Sequence, residues 1–205
     1  LRPEDEHPFA VHSELATCPW NAEHLLLSVA LQGVDKRMDE LPPSNLTFLL
    51  DVSGSMGSPN KLPLVKQSIE YLVERLRPED RVSLVVYAGA AGVVLEPTLV
   101  VEKQKILDAL TRLKSGGSTA GGAGIRLAYE LAQEYFIEDG NNRGILATDG
   151  DFNVGISDVD EMMDLVKANR DRGISLSTLG FGRGNLNDYM MEQIADNGNG
   201  NYSYI

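Results

Sequence analysis

Five side chains that carry only oxygen donors fall in three loops. Asp51, Ser53 and Ser55 stand in Asp51-Val52-Ser53-Gly54-Ser55, Thr119 follows Gly117-Ser118, and Asp149 stands in Thr148-Asp149-Gly150. Carboxylates and hydroxyls without imidazole or thiolate are the donor set of a hard divalent cation. Mg²⁺, which favours octahedral oxygen coordination, is the expected ion, and Mn²⁺ or Ca²⁺ would accept the same donors. Three of the five donors are neutral. If Ser53, Ser55 and Thr119 bind directly while Asp51 and Asp149 act largely through water, the ion keeps positive charge. Its open position then favours an anionic oxygen from outside, such as an Asp or Glu carboxylate of a partner protein. The spaced Asp-Ser-Ser motif taken alone reads equally as helix-capping and turn chemistry. The matching positions of Thr119 and Asp149 tip the reading to a metal.

The loops need a scaffold, and the hydrophobic pattern supplies one. Leu46–Leu50, Arg81–Ala88, Val93–Val101, Ile145–Thr148, Ile174–Leu179 and Tyr202–Ile205 read as strands. Leu62–Leu76, the Ile106–Leu113 run, Ala123–Ile137, Val159–Arg172 and Leu186–Ala195 have helical spacing. Short continuous apolar strands alternating with amphipathic helices indicate an α/β fold: a doubly wound, mainly parallel sheet with helices on both faces. Ligands in such folds bind beyond the carboxyl ends of the strands, which is where the loops after Leu50 and Thr148 lie. Residues 1–45 differ. They contain a strongly apolar run from His24 to Leu31, the three histidines, Trp20 and Cys18, and then a charged, Pro-rich connection. They are read as an appended strand or hairpin with a linker, ahead of a main domain at 46–205. Trp20 and Tyr202 are expected to be packing residues.

Composition narrows the function. The 205 residues carry 30 acidic and 18 basic side chains, a net charge of −12. That balance disfavours nucleic acid and an anionic membrane surface as partners and favours attraction of cations. No apolar stretch is long enough to span a bilayer, so no direct membrane insertion of this fragment is expected. The single Cys18 permits no disulfide framework.

Competing motifs fit poorly. Asp149-x-Asp151-x-Asn153 begins like an EF-hand loop, but Val154 stands where that loop needs glycine and Asp160 where it needs glutamate. Ser53-Gly54-Ser55-Met56-Gly57 lacks the first glycine of a hydrolase nucleophile elbow. No P-loop is present, and Gly180-Phe181-Gly182-Arg183-Gly184 lacks dinucleotide-binding spacing. An aspartate-based phosphotransferase or phosphatase built on Asp149 and Asp151 would leave Asp51, Ser53 and Thr119 without a role. A scaffold whose metal merely stabilises a loop is the other alternative. The expectation is a binding module, not an enzyme.

The set Asp51-x-Ser53-x-Ser55, Thr119 and Asp149 resembles the metal-ion-dependent adhesion site of von Willebrand factor type A (VWA) domains at all five positions and in the family's order. The resemblance covers residues 46–205. Leu41-Pro42-Pro43, Ser118-Thr119-x-Gly121-Gly122-Ala123-Gly124, Ala147 through Gly155 and Gly198-Asn199-Gly200-Asn201-Tyr202 look like a bacterial subgroup exported beyond the cytoplasmic membrane, some of them lipoproteins. Residues 8–33 look like that subgroup's short N-terminal segment, which in the subgroup accompanies a C-terminal domain of unknown function. The resemblance implies metal-dependent, adhesion-type protein binding and an extracytoplasmic location in the periplasm or cell envelope. It also implies a final helix beyond Ile205, which in some relatives shifts when ligand binds.

Overall fold

The computed structural model describes residues 3, 7–37, 40–88, 90–116, 124–150, 159–182 and 187–205. The chain divides into two compact units, Leu1–Leu41 and Pro42–Ile205.

The first unit is an antiparallel hairpin of β1 (Phe9–Thr17) and β2 (Leu25–Gly33), in register from Phe9 opposite Gly33 to Thr17 opposite Leu25. Because successive strand residues alternate faces, this register gathers Phe9, Val11, Leu15, Leu25, Leu27, Val29 and Leu31 on one face. His12, Glu14, Ser28 and Gln32 fall on the other. Cys18 is buried in the connection, whose ends are tied by the Cys18 N–H donating to the His24 carbonyl at 3.0 Å. Trp20, expected to pack, instead lies at the tip of this turn and is 77% exposed, since nothing in the hairpin passes over it.

The second unit follows the expected alternation: β3 (Ser44–Asp51), α1 (Leu62–Val73), β4 (Arg81–Ala88), β5 (Ala90–Leu99), α2 (Lys103–Arg112), α3 (Gly124–Glu134), β6 (Asn141–Thr148), α4 (Val159–Asp171), β7 (Ile174–Gly180), α5 (Asp188–Asn197) and β8 (Tyr202–Tyr204). The strands form one six-stranded sheet in the order β5-β4-β3-β6-β7-β8, with only the β4–β5 pair antiparallel. Sequence periodicity overran the helices at their ends. The stretch Arg75–Leu76, for example, closes α1 as a turn with Arg75 N–H bonded to the Leu72 carbonyl at 2.8 Å. Val100 and Val101, at the end of the stretch read as extended, instead belong to a 3-10 turn, Val100–Glu102, ahead of α2.

Helices cover both sheet faces, so β3 is buried along nearly its whole length. Leu46, Phe48 and Leu50 pack on one side with α1 and α2 residues such as Val65, Ile69, Ile106 and Leu110. Leu49 packs on the other side with Ile125, Tyr129, Val166 and Ile194 from α3, α4 and α5. Each fully buried side chain of this kind contributes roughly 1.5–3 kcal/mol. Among the described residues no helix is long and apolar enough to cross a membrane.

Connectivity fixes where a ligand can go. From β3 the chain moves outward through β4 to β5, then returns to the far side of β3 as β6 and proceeds to β7 and β8. The order therefore reverses between β3 and β6. Connections leave in opposite directions there and open a crevice beyond the strands' carboxyl ends. Asp51 ends β3 and Thr148 ends β6.

The approach of the last strand depends on one glycine. Leu176 N–H donates to the Gly198 carbonyl at 2.9 Å and Thr178 N–H to the Asn201 carbonyl at 3.0 Å, pinning this turn onto β7. A Cβ on Gly200 would stand 2.0 Å from the Leu176 carbonyl oxygen and 2.8 Å from the Ser177 nitrogen, both backbone atoms that cannot rotate away. Gly200→Ala should therefore lower stability by roughly 2 kcal/mol or more, measured as the midpoint of urea unfolding. Gly92→Ala, whose added carbon meets nothing within 4 Å, should leave that midpoint nearly unchanged.

Candidate metal centre

The crevice is built around Asp51, a carboxylate with no solvent exposure. Its Oδ1 accepts the Ser53 N–H at 2.8 Å and its Oδ2 accepts the Thr148 hydroxyl at 3.0 Å. The first bond is a local Asx-type turn, which an aspartate makes readily at a strand end. The second crosses from β6, so the side chain ties together the two strands that flank the reversal. The loop beyond Asp51 tightens into a 3-10 turn over Gly54–Gly57, where Met56 N–H donates to the Ser53 carbonyl at 3.1 Å. Met56, fully buried in the core beside Val52 and Leu62, pegs this loop to the domain.

The two serines then line up from inside to outside. Ser53 is 2% exposed, Ser55 faces solvent, and their hydroxyl oxygens are 2.9 Å apart. On the β6 side Thr148 is fully buried and Asp149 is nearly so. The Asp149 Oδ2 accepts a hydrogen bond from the Lys61 ammonium at 2.7 Å, and the same ammonium donates to the Ser55 carbonyl at 3.1 Å. The loop after α2 is drawn in by Gly116, whose N–H donates to the Val52 carbonyl at 2.9 Å. Asp51, Ser53, Ser55 and Asp149 thus share one crevice. Thr119, the fifth candidate, lies outside the described residues, as does Asp151.

Burial decides the electrostatics. It pushes the Asp51 carboxyl above its ordinary value despite the hydrogen bonds from Ser53 and Thr148, and the negative charge of Asp149 adds to the rise. Tyr87, opposite Asp51 in the sheet register and fully buried, has its phenol pushed far up by desolvation and then by the Asp51 charge. Its hydroxyl has no hydrogen-bond partner among the described residues. Among those residues no cluster of three or more His, Cys, Asp or Glu could hold a metal. An ion in this crevice would therefore depend on hydroxyls as well as on the two carboxylates. The donors fit that demand: oxygen only, with two buried acids, one buried hydroxyl and one hydroxyl at the mouth.

Two contributors were not picked out from the sequence. Thr148 holds the Asp51 side chain, a role no spacing rule reveals because the two are 97 positions apart. Lys61 left a faint signal: it is the residue preceding α1 and makes no side-chain cap. A cation at a helix start opposes the helix dipole, so something other than helix stability must account for it.

Three comparisons bear on this arrangement. The family model of the von Willebrand factor type A domain matches residues 45–205. Uncharacterized protein YfbK of Escherichia coli (strain K12) is 49% identical over 198 residues, covering 97% of this chain and 34% of its own length. The chain thus spans about a third of that relative. In fold, BatB from Bacteroides thetaiotaomicron superposes with a TM-score of 0.66 at 25% identity, over 79% of this chain and 90% of that one. Proximal thread matrix protein 1 from the mussel byssus, solved with a zinc-occupied MIDAS motif, superposes at 0.61 with 22% identity, over 80% of this chain and 42% of that one.

The buried charge of Asp51 yields a stability test. Because its carboxyl titrates above the unfolded value, the ionised form costs the folded state stability near neutral pH. That cost fades as pH falls through the raised value. Asp51→Asn keeps an acceptor for the Ser53 N–H and removes the charge. It should raise the melting temperature of metal-free protein at neutral pH, with the gain over wild type shrinking on acidification. A lower melting temperature at neutral pH would mean that the ionic hydrogen bonds outweigh the burial cost.

Proposed function

Because the chain belongs to the von Willebrand factor type A family, whose domains mediate protein interactions, some through a divalent metal, we propose that its crevice holds one divalent cation, Mg²⁺ in the first instance, and uses it to capture an acidic group of a partner protein. The observation that carries this reading is the gradient of burial across a wholly oxygen donor set. Asp51 and Ser53 lie at 0% and 2% exposure, Asp149 at 8%, and Ser55 lies open at the mouth.

Asp51, Ser53, Ser55 and Asp149, joined by Thr119, would hold the ion. When bound, the cation supplies a Lewis-acidic coordination position for a carboxylate oxygen. The chain's own residues prepare the rest. Both Asp51 oxygens are committed to donors, which suits that side chain to acting from behind the serines rather than as the only anchor. Neutral hydroxyls in contact with an ion leave its charge uncancelled, and outer carboxylates orient them. Full neutralisation by the protein's own acids would remove the attraction for a partner's acid. Ser55 at the mouth puts the open side toward solvent, where a side chain from another protein can arrive. The net charge of −12 attracts cations to the surface generally, so the choice of acidic partner has to come from the ion rather than from the overall field.

The zinc-bearing centre of the mussel protein is a feature of that protein; its relevance here is as an example of a divalent ion in such a motif. The subgroup resemblance supports a setting in the bacterial envelope.

Titrating Mg²⁺ into EDTA-stripped protein by calorimetry tests the reading, with Mn²⁺ and Ca²⁺ in parallel. One saturable site is expected, lost in Ser53→Ala and Asp149→Ala. At a hundredfold excess over Kd the ion should stabilise the fold by about 2.7 kcal/mol. A peptide presenting Asp or Glu should then bind only with metal, and its Asn or Gln counterpart should not. Metal binding unaffected by either substitution would remove the site from this crevice.

A further inference from the structure

Lys61 is the one cation in contact with the candidate ligands among the described residues. Its ammonium spans two of them, 2.7 Å from the Asp149 carboxylate and 3.1 Å from the Ser55 carbonyl oxygen. The pair is shielded, with side-chain exposures of 20% for Lys61 and 5% for Asp149. It is therefore less screened by salt than the surface ion pairs of this domain. The stem of Lys61 lies in a slot shaped for it. Gly182, at φ +90°, leaves the space that a Cβ would fill 2.4 Å from Lys61 Cε, and its carbonyl is held by the Tyr204 hydroxyl. At the start of α1 the lysine opposes the helix dipole and caps nothing. Its position is explained by Asp149, not by the helix.

The charges make this arrangement consequential. Asp51 and Asp149 are both buried at one crevice, and in metal-free protein the only balancing charge in contact with either, among the described residues, is Lys61. Two buried carboxylates without a cation would be costly. Yet a cation already seated on Asp149 blocks one of its oxygens and repels a second cation arriving there.

Resting on the metal reading above, we propose that Lys61 is a built-in counter-ion that neutralises Asp149 while the centre is empty and is displaced from it when a divalent ion binds. Metal uptake is then an exchange of one cation for another. Lys61 lowers the affinity of the centre and supports the fold without metal. A Lys61→Met variant keeps an apolar stem for the slot beside Gly182 and removes the competitor.

The test compares wild type, Lys61→Met and Lys66→Met. Lys66 sits on α1 and bonds the Thr111 and Leu113 carbonyls away from Asp149, so it controls for loss of one positive charge. In Lys61→Met, Mg²⁺ should bind about tenfold tighter or more by calorimetry, on the order of what one displaced ion pair is worth. Its metal-free melting temperature should fall and its metal-induced rise should grow. Lys66→Met should show no comparable gain in affinity. Weaker binding in Lys61→Met would overturn the exchange and make Lys61 a positioning residue for Asp149. Unchanged binding, or an equal gain in Lys66→Met, would also overturn it while leaving the metal reading intact. Absence of Mg²⁺, Mn²⁺ and Ca²⁺ binding in both wild type and Lys61→Met would defeat the metal reading itself.

Discussion

A buried aspartate with both oxygens engaged is the constraint around which this domain is arranged. Asp51 is removed from water at the end of the central strand, where a carboxylate is tolerated only with donors in place. Ser53 supplies one from the same loop and Thr148 supplies the other from the neighbouring strand. The second bond requires β6 to lie beside β3 in the register that sets Leu50 opposite Ala147. One side chain thus bridges the two strands that flank the reversal. Met56, seated in the core, keeps the loop from relieving the strain of burial by lifting into solvent.

The same constraint gives the crevice its chemical character. Burial works against the ionised form of Asp51, and the hydrogen bonds only partly offset it. A second acid, Asp149, stands in the same crevice with Lys61 against it. Such a site is poised toward cations. It is also graded, from a dry floor at Asp51 and Thr148 to a wet rim at Ser55.

Stability and function draw on different parts of the sheet. The two apolar layers on either side of β3 would serve a domain of this architecture with no ligand at all. The polar cluster adds little to that core and burdens it with buried charge. The N-terminal hairpin follows a separate logic. Its register gathers most of the large apolar side chains on one face, with Ser13 and Thr17 among them, and leaves Leu26 with the polar residues on the other.

The pattern of the sequence determined the class of fold and where four of its candidate oxygen donors converge. Short, largely apolar runs such as Leu46–Leu50 suit strands covered on both faces, and their alternation with amphipathic helices leaves few topologies open. Asp51, Ser53, Ser55 and Asp149 were legible because strand ends in such a fold converge, so local position was enough to predict proximity. Helix ends were less legible, because periodicity continues past the point where backbone bonding stops, as at Arg75 and Leu76. Trp20 was misjudged because size suggests burial, whereas only neighbouring chain can provide it. The roles of Thr148 and Lys61 were decided by the tertiary structure. Each acts on a residue 88 or more positions away, through a hydrogen bond set by strand register or by the slot at Gly182. Contacts of that kind are fixed by the packing of distant segments, which leaves no periodic trace in the chain.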